Sequence, residues 1–423
     1  MIDRYSARMT SADAAHSLYV FDDGLGAFGP LVDVRAAFSL RVGLGTMLER
    51  IEAKLNMTAS ALLVRDELSA ITRESGARTD VAPARDAMVV NGRLLSLDIL
   101  EGMNHGDIKR NAQGTLLAAR CTIENAQTID ALRAAPSLSE SSTRTAVVEA
   151  ALANAPWDIT ARIGTTLQED LALYASSARL SQAPARALSP HEGQSFGKHP
   201  IRIDRTATVG PLCVIDSSKG PVIIGANVVI RPLSVLVGPC AVLEGTVISE
   251  RALIKANTVI GPHCRVGGEV GGTIFQSYSN KSHDGHLGDS FIGEWVNIGA
   301  GSDNSNLLNT YGDVIVRLEP EGGLLATGRQ FWGSVIADHA KLAIGTRLMT
   351  GTTIGTGAMI ALSRPPQTCV MRFAWQVDSN DAPRTFRFEK FTQTARAMMS
   401  RRGCALTPAV EARLRELHAV VSS

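Results

Sequence analysis

The chain is poor in aromatic residues, poor in cysteine and almost without net charge. Aromatics make up 5% of its 423 residues, so small and branched aliphatic side chains must fill most of any core. Lys+Arg number 42 against Asp+Glu 41. That balance excludes a general attraction to nucleic acid and a polybasic membrane patch. No apolar run reaches the ~20 residues of a membrane-spanning helix. The N-terminal stretch has scattered charges and no secretory apolar segment, which predicts a cytoplasmic protein. The six cysteines are Cys121, Cys213, Cys240, Cys264, Cys369 and Cys404, and no two form a CxxC pair. They do not read as a disulfide framework, and no metal site is expected from them.

What the chain does have is a period. From 224 to 266 an aliphatic residue stands at every sixth position: Ile224, Ile230, Leu236, Val242, Ile248, Ile254, Ile260 and Val266. A step of six fits neither the helix period of ~3.6 nor the strand period of 2. It is the spacing of a hexapeptide-repeat parallel β-helix, where each hexad makes one short face of a three-sided coil. Four places after each aliphatic comes a small or β-branched residue: Val228, Ser234, Cys240, Thr246, Ala252, Thr258 and Cys264. In a narrow prism this second column also points inward, which makes Cys213, Cys240 and Cys264 buried core thiols. The same phase appears at Ile203, Val209 and Ile215, then at Ile292 and Ile298, and again from Ile336 to Ile360. The total of eighteen hexads, three per coil, predicts about six coils. Residues 267–291 and 301–335 break the phase. They are expected to be loops thrown out from coil corners, where binding residues collect.

The texture differs on either side. Leu18-Tyr19-Val20-Phe21, Ala61-Leu62-Leu63-Val64 and Ala87-Met88-Val89-Val90 read as buried strands, and 41–55 reads as an amphipathic helix. Strands alternating with helices predict an α/β domain with a largely parallel sheet over 1–190. The Pro/Gly-rich stretch 177–200 reads as a linker into a β-helix over 198–362. Residues 363–423 form a C-terminal extension. Thr407-Pro408 is a helix start, and Val410, Leu414, Leu417 and Val420 give it an apolar stripe. That helix is expected to cap the open end of the solenoid, whose strand edges need covering.

The segment from His283 to Gly301 carries a resemblance. His283, Leu287-Gly288-Asp289, Ile292-Gly293 and Val296-Asn297-Ile298-Gly299-Ala300-Gly301 match the acetyltransferase half of the bacterial bifunctional N-acetylglucosamine-1-phosphate uridyltransferase/glucosamine-1-phosphate acetyltransferase family. Asn306 falls where that family has a site Asn. Ser363-Arg364-Pro365-Pro366-Gln367-Thr368 resembles its Ser-Arg-x-Pro-Gln-Thr. The chain is more similar still to a divergent branch of sugar nucleotidyltransferases of this bifunctional type. The features shared with that branch include Phe21-Asp22-Asp23, Leu40-Arg41-Val42-Gly43 and Thr327-Gly328-Arg329-Gln330-Phe331.

The resemblance implies a left-handed β-helix that takes acetyl-CoA as acyl donor. His283 would be the general base, since an imidazole titrates near ~6.5, close to working pH. Asn306 would orient the base or acceptor. Lys281, His286 and Asn297 would bind the acceptor. The Ala300 backbone would meet the thioester carbonyl. Asp338 and Thr356 would be coenzyme A contacts on later coils, and Arg364 would pair with phosphate. The resemblance departs at Gly267, where the family has an acceptor-phosphate Arg, so the acceptor need not be glucosamine 1-phosphate.

In the N-terminal half, Gly24-Leu25-Gly26-Ala27-Phe28-Gly29 matches GxGxxG after a strand. However, Pro30-Leu31-Val32-Asp33 follows where a dinucleotide fold needs a helix. A sugar nucleotidyltransferase loop fits better, with Gly24 and Gly26 presenting backbone N–H groups to phosphate. Here Asp22-Asp23 replaces Ala-Ala, Phe28 stands where a catalytic Arg belongs, and Arg93 stands where a metal-binding Asp belongs. Two acids beside the loop would repel a triphosphate unless a cation intervenes, and Arg35 and Arg41 could supply positive charge. Mg2+ would accompany this domain if it is active. The expected function is acetyl-CoA-dependent N-acetyl transfer to an amino-sugar phosphate or nucleotide sugar, in a homotrimer, with small molecules as the only partners. The alternatives are a sugar-1-phosphate nucleotidyltransferase whose β-helix mainly trimerises, and a noncatalytic sugar-nucleotide-binding scaffold.

Overall fold

The computed structural model describes residues 16–134, 144–175, 188–189, 191–378 and 384–422. Much of the expected linker, including Pro184 and Pro190, lies outside these residues.

The first unit is an α/β layer. Its sheet runs β2(Ala61–Leu63)-β1(Ser17–Phe21)-β3(Ala84–Asn91)-β5(Leu116–Ile123)-β4(Asp107–Arg110)-β6(Arg144–Val147). β1 is parallel to β2 and β3, and β4 is parallel to β6. β5 runs antiparallel to both its neighbours, so the sheet is mixed where a largely parallel one was expected. The helix expected over 41–55 is α1(Met47–Leu55) and starts late. Thr46 accepts from the Glu49 N–H while the Glu49 carboxylate accepts from the Thr46 N–H, a capping box that fixes the start. The helix α2(Asp66–Glu74) follows β2, and α3(Ala126–Ala134) follows β5. The short α4(Pro156–Thr160) and then α5(Ile163–Leu173) close the unit.

The second unit is a parallel β-helix. One face starts at Gly193–Phe196, the next at Ile201–Ile203 and the third at Thr208–Val209, and the later coil strands stack parallel on these, while Ile315–Val316/Leu325–Ala326 and the closing Arg384–Thr385 pair antiparallel. The second face has nine strands, so the solenoid is longer than the six coils expected. The difference lies in 267–291. This stretch is not a loop but a continuation of the coils with shortened corners. Ile254 is in register with Val270, Ile260 with Phe275, Val266 with Lys281, and Val270 with Leu287. The inward columns persist while the spacing drops below six. The later break is a true insertion: after Asp303–Asn304 the chain leaves the coil and forms the hairpin Ile315–Val316/Leu325–Ala326, then rejoins at Ser334–Ile336. Both inward columns are dry. Ile224, Ile230, Leu236 and Val242 are at most 1% exposed, and Cys240, Thr246 and Cys264 are fully buried.

The outward side of the second face is buried as well. Ile223, Ala241, Val259, Ile274, Phe291 and Val335 join one apolar cluster with Phe38, Leu40, Leu44, Ile163 and Leu167 of the first unit. Strand residues alternate sides. Val222-Ile223-Ile224 is therefore aliphatic throughout because both its sides are covered. Ion pairs pin the seam. Arg35 donates to both Asp338 oxygens (2.9 and 2.6 Å) and to Glu294 (3.0 Å). Arg372 donates to both Asp33 oxygens at 2.7 Å, and Thr356 donates to Asp33.

The C-terminal helices are α6(Phe388–Ser400) and α7(Pro408–Ser422). α7 begins at Pro408 as expected. Its buried Leu414 packs with Phe373 on the last coil, with Phe388 and Phe391 of α6, and with Val34 of the first unit. The helices do more than cap an end. Phe391 meets His339, the last ring of a stack through Trp295, Tyr278 and His263 along one corner. Beyond α6, Arg402 donates to the His263 carbonyl and to Asn280. His263, Tyr278, Trp295 and His339 all hold left-handed φ of 54° to 60°, the turn each coil makes at that corner.

Arg35→Met should leave Asp338 buried without its counter-charge, at a cost of about 3–5 kcal/mol. Urea unfolding followed by Trp fluorescence should show a lowered midpoint, and Asp338→Asn in the same background should restore part of it.

Candidate active site

The site expected from sequence lies on the coils that carry 267–306. His286 stands outward on the first face, in register with Glu269. Its Nδ1 lies 3.3 Å from the Glu269 carboxylate, which also takes a 3.0 Å bond from Lys255. Gly288 is the key to the geometry beside it. A Cβ built there would sit 2.7 Å from both His286 Nε2 and Asn306 Nδ2. A side chain at this position would therefore fill the space where those two groups converge. Asn306 is anchored by a 2.6 Å bond to Asp289, and burial pushes the Asp289 carboxyl up against that bond. A cleft of about 220 Å³ opens here, lined by Lys255, Gly271, Gly272, His286, Asp289 and Asn306.

The remaining expected residues divide. His283 is exposed on the corner between the third and first faces. Asn297 is exposed on the third face, in register with Asn280 and Lys341, so a prism corner separates it from the cleft. Ala300 lies at the next turn of that corner, its carbonyl taking the Gly345 N–H at 2.8 Å. Arg364 is exposed beyond the strand Met359–Ala361.

Lys281 is not a surface ligand. It stands in register with Val266 in the inward column, 1% exposed, and donates to the Gly267 (3.3 Å) and His283 (3.0 Å) carbonyls. An acceptor-binding role is corrected on that ground, because its ammonium faces the coil interior. Asp338 and Thr356 are corrected likewise. They are 2% and 0% exposed under the first unit, held by Arg35 and Asp33, so they present nothing to a coenzyme. Asn304 was an unassigned residue. It occupies the inward column beside Leu348, accepts from the Gly288 N–H, and donates to the Gly288 carbonyl and Ser290. Its place six residues after Ile298 was the available signal. The buried thiols behave as core: burial pushes Cys240 and Cys264 up to about 12, far from a reactive thiolate.

In the first unit Gly24 and Gly26 hold positive φ of 69° and 93° in the loop after β1. The Gly24 N–H bonds Asp22 at 3.1 Å. Arg35 and Arg41 do not face this loop. Arg35 joins the seam, and Arg41 donates to the Gln276 carbonyl (3.1 Å) and the Leu44 carbonyl. A nucleotide-binding role for either is corrected, since the solenoid holds both. At the carboxyl ends of β1 and β3, Arg93 forms a two-pronged bond to Asp23, with Asn91 adding a third contact.

Residues 18–179 match the sugar nucleotidyl transferase family model. The bifunctional protein GlmU of Ruthia magnifica is 28% identical over 193 residues, covering 40% of this chain and 39% of that protein. The chain is similar to GlmU over that stretch. GlmU of Methanococcus aeolicus is 32% identical over 162 residues, 38% of each chain. GlmU of Synechococcus elongatus is 29% identical over 182 residues, 38% of this chain and 36% of that one. The chain thus spans about two fifths of the length of the curated relatives it matches. Among solved structures, an Arabidopsis UDP-N-acetylglucosamine acyltransferase aligns at a TM-score of 0.25 and 16% identity, over 55% of this chain and 90% of that one. No helix of the described residues is long and apolar enough to cross a membrane.

Burial pushes Lys281 down to about 8, against the pull of Asp303 and Asp284. In the unfolded chain a lysine titrates near ~10.4. Between those values the unfolded chain holds more protons, so stability should rise with pH from about 8 towards ~10.4; below both, the burial penalty is fully present. Lys281→Met should remove that rise, worth on the order of 2–3 kcal/mol, in chemical denaturation compared at about pH 7.5 and about pH 10.

Proposed function

We propose that the chain transfers an acetyl group from acetyl-CoA to the amino group of an amino-sugar phosphate or nucleotide sugar. The observation that carries this reading is the convergence of His286 Nε2 and Asn306 Nδ2 over the bare Cα of Gly288, in a cleft beside the His283 corner. Such a cleft suits a small polar acceptor. In the reaction the acceptor nitrogen forms a bond to the thioester carbonyl carbon, the carbon–sulfur bond breaks, and coenzyme A leaves as thiolate. His283 takes the proton from nitrogen. Asn306 and His286 hold the acceptor, with Glu269 keeping the His286 ring in place. The Ala300 backbone meets the oxyanion, and Arg364 pairs with a coenzyme phosphate.

The proposal includes a homotrimer. The second face is covered by the first unit, which leaves the first and third faces for contact between copies. A first-to-third contact is heterologous and gives a closed ring where its rotation closes, here taken as threefold. It would set Asn297 of one subunit beside the His286 cleft of its neighbour. Light scattering should then give three times the 44.9 kDa of one chain.

Incubation with acetyl-CoA and a panel of amino-sugar phosphates and nucleotide sugars should release free thiol. His283→Ala should lower the rate by about 100-fold or more, the usual size of a general-base contribution. His286→Ala and Asn306→Ala should mainly raise KM for the acceptor. A wild-type protein that releases no thiol with any acceptor would defeat the proposal. The match to the sugar nucleotidyl transferase model supports a second reading, nucleotidyl transfer to a sugar 1-phosphate in the first unit. Pyrophosphate release from nucleoside triphosphates tests it separately.

A further inference from the structure

The carboxyl ends of β1 and β3 form the crevice where an open α/β sheet takes its ligand. Here Asp22 and Asp23 follow β1, Asn91 ends β3, and Arg93 stands two residues on. A nucleotidyl transferase that uses magnesium needs carboxylate oxygens free at this place, since Mg2+ demands six oxygen ligands in near-ideal octahedral geometry.

The oxygens of Asp23 are not free. Arg93 Nε donates to Oδ1 at 2.8 Å and Nη2 to Oδ2 at 2.7 Å. The Leu25 N–H adds a 3.0 Å bond to Oδ1, and Asn91 adds a 2.9 Å bond to Oδ2. The guanidinium is fixed from behind as well, with Nη1 on the Ala153 carbonyl (2.9 Å) and on Asn154 (2.7 Å). The side chains of Arg93 and Asp23 are 3% and 7% exposed. Burial works against the charge on Asp23, but the bonds from Arg93 and Asn91 outweigh it and hold the carboxyl below its usual range. A divalent ion brought to Asp23 would meet a fixed positive charge at hydrogen-bond distance from its own ligand. The neighbouring Asp22 Oδ2 accepts no hydrogen bond but lies 3.5 Å from Arg65 Nε, so neither acid stands clear of a guanidinium, and the residues present do not fit magnesium.

We propose that the guanidinium of Arg93 permanently fills the place of a divalent cation beside Asp23, so that the first unit binds no magnesium and catalyses no magnesium-dependent nucleotidyl transfer. The unit serves instead as the clamp on the second face of the solenoid, where Asp33, Arg35 and Arg41 are engaged. This goes beyond acyl transfer on the solenoid, stands or falls apart from it, and rejects the second reading of magnesium-dependent nucleotidyl transfer by the first unit.

The test uses the full chain and Mn2+ as the probe, with free Mn2+ read by electron paramagnetic resonance. Titrating wild type and Asp23→Asn into Mn2+ should give the same free signal, with and without UTP. Arg93→Met, which uncovers both oxygens of Asp23, should lower the signal by about one equivalent, and Mg2+ should restore it. Uptake of Mn2+ by wild type that Asp23→Asn abolishes would overturn the proposal. So would pyrophosphate release by wild type from UTP and a sugar 1-phosphate that requires Mg2+. Should Arg93→Met fail to fold, the wild-type and Asp23→Asn titrations decide alone.

Discussion

The structure depends on the double burial of one solenoid face. A β-helix normally buries only its interior, and each hexad supplies two residues for that purpose. Here the second face is apolar on its outer side too, and the first unit is built onto it. Apolar contact alone would let one surface slide over the other, because the hydrophobic effect has no direction. The buried pairs Arg35–Asp338 and Arg372–Asp33 remove that freedom. Each charge has only one place where its partner is, so the pairs fix the register between a flat sheet face and an α/β unit. The two pairs lie on neighbouring coils, near Asp338 and near Thr356 and Arg372. The C-terminal helices complete the arrangement by touching both units through Phe373 and Val34.

This constraint explains why the sequence was readable in some places and not in others. The inward columns were legible because the prism interior admits only two sizes of side chain at a fixed repeat. The stretch 267–291 was not, because register depends on which residues face each other and not on the number between them. A corner can lose one or two residues while Val270, Phe275 and Leu287 keep their places. The insertion after Asn304 was legible, since thirty residues cannot fit a corner.

Only part of the candidate site's arrangement was legible. His286, Asn306 and the adjoining Asp289 do line one cleft. The cleft exists because Gly271 and Gly288 follow one another on successive coils, a pairing visible only once register is known. Apart from Lys281, the misplaced residues were charged or hydroxylated groups with a partner far along the chain. Arg35 beside a glycine loop looks like a phosphate ligand until Asp338, three hundred residues later, is seen against it. Asp338 and Thr356 do sit on the solenoid's outer surface, as their phase implied, but that surface is covered.

The polar rung beneath the cleft links core to site. A solenoid core that is otherwise apolar, small or hydroxylated admits Lys281 in the column of Val266 and Asn304 in the column of Leu348. Burying such groups is tolerated only when their bonds are made. Asn304 meets this by bonding both backbone groups of Gly288, which fixes the strand whose missing side chain opens the cleft. Lys281 meets it by bonding the His283 carbonyl, which fixes the corner on which that imidazole stands. An aliphatic pair in these two positions would fill the same space but would leave the Gly288 backbone groups and the His283 carbonyl without these bonds. The polar interior therefore acts on the surface above it: the substitutions that make the core less dry are those that hold the floor and the rim of the cleft.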